Sequence, residues 1–92
     1  MIYQSSRSIT SSSCAEWARR RADPGEPAWE LSWWPEVALT FEQARDAMEL
    51  AELCSASAEP GERAEVLASQ LGTSVKHVMA VLHQRMMERG RA

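Results

Sequence analysis

The chain has 92 residues, 45% hydrophobic and 25% charged, with a formal charge of −3. That length holds one small domain plus tails and excludes a two-domain enzyme with an interdomain cleft, and the composition is that of a globular chain. No apolar run nears the roughly 18 residues of a membrane helix, and Met1–Arg7 lacks the apolar stretch of a secretory signal, so a cytoplasmic protein with no membrane partner is expected.

Charge divides unevenly along the sequence. Residues 1–35 carry four bases and four acids, residues 36–59 one base and six acids, and residues 60–92 five bases and three acids. The local balances of −5 and +2 say more about partners than the total does. Cys14 and Cys54 form no CxxC unit and are expected as free thiols.

In chain order, residues 4–13 read Q-S-S-R-S-I-T-S-S-S. Such a serine-rich stretch has little to bury, and residues 1–13 are expected as a disordered tail. Residues 14–36 then form a tryptophan-rich extension with short helical turns. Ser13 and Glu16 have capping-box spacing, which starts a helix holding Trp17 and Arg19-Arg20-Arg21, and Asp23-Pro24-Gly25 stops it. The arginines read as a solvated patch or as an arm that touches phosphates. Pro27 favours a helical turn with Trp29 and Trp33 on one face, while a strand would place Trp29, Leu31 and Trp33 together instead; the turn is preferred. The tryptophans of this segment either enlarge the core or form an exposed anchor for a protein.

The clearest signals begin at Thr40. Thr40 and Gln43 make a capping box, and Ala44, Ala47, Met48, Ala51 and Cys54 recur at helical spacing over about 40–55. A second helix over about 61–71 carries Ala64, Leu67, Ala68 and Leu71 on one face, and Gly72 ends it. Ser74 caps a third helix over 74–89, with Val75, Val78, Val81, Leu82, Met86 and the aliphatic stem of Arg85 as its inner stripe.

The run from Leu67 to Leu82 resembles the helix-turn-helix superfamily of transcription regulators. Ala68 is small where the helices cross, Gly72 supplies the turn, and Val78 and Val81 fill the corner. The predicted fold is therefore all-α: a three-helix bundle over 37–90 with a helix-turn-helix core. The resemblance implies a non-catalytic regulator of transcription that lays helix 74–89 in the major groove of duplex DNA. Ser74, Lys76, His77 and His83 would then face the DNA, with Arg85, Arg89 and Arg91 reaching phosphates and the start of the second helix, near Glu62 and Arg63, as a further phosphate-facing point. A homodimer would suit paired half-sites.

Two features point the other way. The outward row offers Met79 and Ala80 where base-reading Arg, Asn or Gln would serve, and the whole chain is acidic. The alternative expectation is an antiactivator or inhibitor, similar to small phage proteins that block transcription factors. Met79, Ala80 and Met87 would touch a DNA-binding regulator, and acidic Glu49 and Glu52 would occupy its positive charge. The A-W-E core and nearby proline of the segment Trp17–Pro35 also resemble a motif of conjugative-element regulators, which fits a mobile-element origin.

No catalytic motif, phosphate loop or nucleophile turn is present, so neither an enzyme nor a small-molecule substrate is expected. His77 and His83 are six apart and cannot chelate one metal as an i, i+4 pair. No metal and no cofactor are expected.

Overall fold

The computed structural model describes residues 1–21, 28–57 and 59–90. Four short strands come first: β1 (Ile2–Gln4), β2 (Ser8–Ser11), β3 (Trp17–Arg20) and β4 (Trp29–Leu31). They pair as an antiparallel meander in the order β1-β2-β3-β4. Three helices follow: α1 (Phe41–Ala56), α2 (Glu62–Gln70) and α3 (Val75–Gly90).

The all-α expectation is thus overturned by a four-stranded sheet built from the segments read as a disordered serine-rich tail and as helical turns. Ile9, Ala18 and Leu31 lie in register across β2, β3 and β4, and all three are buried. One apolar row suffices to seat this sheet on α1. The serines serve the backbone. Ser5 Oγ accepts from the N–H groups of Arg7 and Ser8 to close the β1–β2 turn, a local use of hydroxyls that competes with disorder. Ser13 does not cap a helix; its Oγ accepts from the Met1 ammonium. Trp29 and Leu31 point to the buried face of β4, as the strand alternation requires, and Trp33 beyond it is buried as well. The stop signal Asp23-Pro24-Gly25 and Pro27 lie outside the described residues.

The helical half follows its sequence signals. Thr40 Oγ1 accepts from Gln43 N–H while the Gln43 side chain accepts from Thr40 N–H, so the capping box is complete. Ala44, Ala47, Met48, Leu50, Ala51 and Cys54 give α1 a broad buried stripe, which packs against β2, β3 and β4 as well as α2 and α3. The alanines let the helix approach its neighbours closely. α1 is therefore the central layer, between the sheet and the α2–α3 pair.

The corner between α2 and α3 turns on Gly72. Its φ of +79° lies in the left-handed region, where a Cβ would be strained. Two hydrogen bonds close the end of α2, from Gly72 N–H to Ser69 O and from Thr73 N–H to Ala68 O. Ala68, Leu67 and Val78 are buried in the corner, and Val75, Val81 and Leu71 pack at its margin. Met86, expected in the inner stripe, is 59% exposed, because the stripe ends at Leu82.

Candidate functional site

Ser74 opens α3: its Oγ accepts from His77 N–H at 3.2 Å and its carbonyl accepts from Val78 N–H. From this cap, Ser74, Lys76, His77, Ala80 and His83 are all exposed along the outer side of the helix. The corner thus leaves the first turns of α3 open to solvent. Met79 is an exception in the outward row: it is half-buried and packs against the core. Ala80, His83, Gln84, Met87 and Glu88 line a shallow groove along the far half of the helix.

Arg85 and Arg89 are engaged elsewhere. Glu16, in the loop before β3, is buried to 2% exposure. Its carboxylate accepts from Arg85 Nε at 3.0 and 3.2 Å, from Arg89 Nη1 at 3.2 Å and from Ser32 Oγ at 2.7 Å. Ser32 Oγ in turn accepts from Trp17 N–H at 2.9 Å. This clamp ties α3 to the sheet across the molecule. Burial alone would push the Glu16 carboxyl up, but the hydrogen bonds from Arg85, Ser32 and Arg89 and the Arg85 charge outweigh it and hold the group below its ordinary value. Sequence reasoning gave Glu16 to a helix cap and both arginines to phosphates. The expected third cation, Arg91, lies outside the described residues.

The acidic residues assigned to a partner are also paired. Glu49 accepts from Arg63 Nε at 2.7 Å, and Glu52 accepts from the Met1 ammonium and from Ser11 Oγ, both at 2.6 Å. Arg63, near the start of α2, is thereby turned toward α1. What remains at the mouth of the corner is acidic: Glu59, Glu62 and Glu65 surround Val75 in a notch between the start of α2 and the start of α3. This notch was not anticipated as a site.

Among the described residues, no group of three His, Cys, Asp or Glu side chains is placed to hold a metal ion. Cys14 and Cys54 are free thiols lining one small cavity with Glu16, Met79, Leu82 and His83. Burial pushes the Cys54 thiol up, which keeps it protonated and unreactive. Among the described residues, no helix is long and apolar enough to cross a membrane. Neither a family model, nor a curated protein, nor a solved structure matches the chain. The helix-turn-helix resemblance rests on the corner alone.

Proposed function

We propose that this chain is a non-catalytic regulator of transcription whose α2–α3 corner docks on a basic, DNA-binding protein and blocks it. The observation that carries this reading is the charge at the corner's mouth. Where a DNA reader turns the start of its first corner helix toward phosphate, Glu59, Glu62 and Glu65 stand around Val75, and Arg63 is held by Glu49. Phosphate is repelled there, and a basic protein surface is attracted. The groove of Ala80, His83 and Met87, farther along α3, offers a separate soft apolar contact.

The corresponding experiment pairs a gel shift on the gene's own upstream region with a pull-down. The wild-type protein should leave duplex DNA unshifted at low salt. It should capture a DNA-binding protein whose own gel shift is relieved when this chain is added. Ala80→Glu, at an exposed position, should abolish that relief while leaving the fold intact.

A second reading is direct DNA binding by α3, favoured by the exposure of Ser74, Lys76 and His77 at the first turn. It predicts a duplex shift that weakens steeply with salt and a salt slope reduced by about 1 in Lys76→Ala. That outcome would replace the blocker reading.

A further inference from the structure

The two thiols of the chain come to one cavity beside the Glu16 clamp. Cys14, half-buried, lies in the loop between β2 and β3, and Cys54, buried, lies in the last turn of α1. Two tethers fix that loop on either side of Cys14. Toward its start, Ser11 Oγ donates to Glu52 at 2.6 Å, while Ser13 Oγ and Glu52 both accept from the Met1 ammonium, at 3.2 and 2.6 Å. Toward its end, Glu16 is held by Arg85 and Arg89 of α3. Glu52 stands just before Cys54 on α1, so the loop runs over the helix end that carries the second thiol. Cys14 and Cys54 then line one cavity of about 140 Å³ with Met79, Leu82 and His83 of α3.

We propose that Cys14 and Cys54 close a disulfide across this cavity when the protein meets a small-molecule disulfide such as oxidised glutathione. Cys14 reacts first, because it is the thiol that solvent reaches. Its thiolate attacks one sulfur of the small disulfide, which breaks the S–S bond, leaves a mixed disulfide on Cys14 and releases one small thiolate. Cys54 then gives its proton to solvent and attacks the Cys14 sulfur, expelling the second small thiolate. Both protein thiols are oxidised and the small disulfide is reduced to its thiols, with no other reactant consumed.

The placement of the pair suits this order. Burial holds the Cys54 thiol protonated, so it is silent toward reagents in solution and reacts only with a sulfur fixed beside it. The cavity lets both side chains rotate toward each other without displacing the core. The bridge closes a ring of about 40 residues through β3, β4 and α1. Such a ring restricts the unfolded chain, so the oxidised protein should be the more stable form.

The test incubates the reduced full chain in glutathione buffers of increasing oxidised fraction, quenches with an alkylating reagent and digests with trypsin. Cys14 falls in peptide 8–19 and Cys54 in peptide 46–63. These peptides should be recovered joined to each other, from protein that runs as a monomer on a nonreducing gel. The oxidised protein should melt roughly 5–15 °C higher, an increase that dithiothreitol reverses. Cys54→Ala should stop at a mixed disulfide between Cys14 and glutathione. Cys14→Ala keeps the buried residue in place; its Cys54 should stay unmodified, and its Tm should not respond to oxidised glutathione. Unlinked peptides in the most oxidising buffer, or linkage only between two copies of the chain, overturn the proposal. A bridge that lowers Tm also overturns it, since the thiols would then meet only by distorting the fold. Glutathione on Cys54 in Cys14→Ala overturns the first step assigned to Cys14.

Discussion

Replacing Glu16 by glutamine tests whether the clamp both holds α3 and withholds its arginines. The carboxylate is 1% exposed and accepts hydrogen bonds from three side chains. Glutamine preserves the shape but turns one oxygen into an amide donor that faces guanidinium groups. A hydrogen bond to a charged group contributes roughly 1.5–3 kcal/mol, and breaking a fully buried ion pair costs about 3–5 kcal/mol. Here the Arg85 and Arg89 side chains are 32% and 46% exposed, so water screens the charge left behind, and the lower figure applies. The expected loss is about 2 kcal/mol, which for a domain of this size lowers Tm by roughly 8–16 °C.

Thermal and urea melts followed by circular dichroism measure that loss. Arg85→Met and the double variant close a cycle whose coupling should reach about 1 kcal/mol. The same substitution should also release two cations. Glu16→Gln should thus shift duplex DNA at low salt where the wild type does not, with a salt slope steeper by up to about 0.9 per phosphate newly contacted. A variant as stable as the wild type to within about 0.5 kcal/mol would refute the clamp's energetic role. A destabilised variant that still ignores DNA would refute the claim that Glu16 withholds the arginines.

Two further outcomes follow from the corner and from the acid–base chemistry. At Gly72 an added Cβ would meet nothing within 4 Å, so Gly72→Ala is penalised by its φ of +79° alone. The expected loss is about 1–2 kcal/mol in urea melts, and Gly72→Asn should lose less; an alanine variant of higher stability would contradict the left-handed turn. Glu16 and Glu52 are both held below their ordinary values, Glu16 by Arg85, Ser32 and Arg89 against its burial and Glu52 by the Met1 ammonium and Ser11. A depressed folded-state pKa contributes stability that is fully present above the unfolded value and is lost as pH falls through the folded one. The urea midpoint should therefore hold from neutrality down to about pH 5 and fall below about pH 4, with a shallower fall in Glu16→Gln. An unchanged pH profile in that variant would remove Glu16 from the account.

The helices were legible because their signals are local. Thr40 and Gln43 are three residues apart and satisfy each other's backbone, and Gly72 acts within a single turn. Ala68 and Val78 are needed small and branched at a crossing only a few residues wide. The sheet was illegible for the opposite reason. Its strands are three or four residues long, too short for alternation to register except at Trp29-Glu30-Leu31. The apolar contribution of β2 is Ile9 alone, amid serines that composition reads as disorder. Those serines act as a turn closer in Ser5 and as a partner of Glu52 in Ser11, roles that composition does not encode.

The site residues show how charge along a sequence differs from charge on a surface. The segment 60–92 carries a balance of +2, which favours phosphate when counted as residues. Folding redistributes it. Arg63 is taken by Glu49, and Arg85 and Arg89 are taken by Glu16, which lies 69 and 73 residues away in the chain. Lys76 is the one cation among the described residues of that segment outside an ion pair, while Glu62 and Glu65 stay exposed at the start of α2, where the helix dipole favours them. The short helix of arginines expected before the bundle is instead a strand, and it carries exposed positive charge to the opposite side of α1. A chain that is basic at its end becomes, among the described residues, a domain whose corner is acidic. The long-range capture of two arginines by one buried carboxylate accounts for much of that inversion.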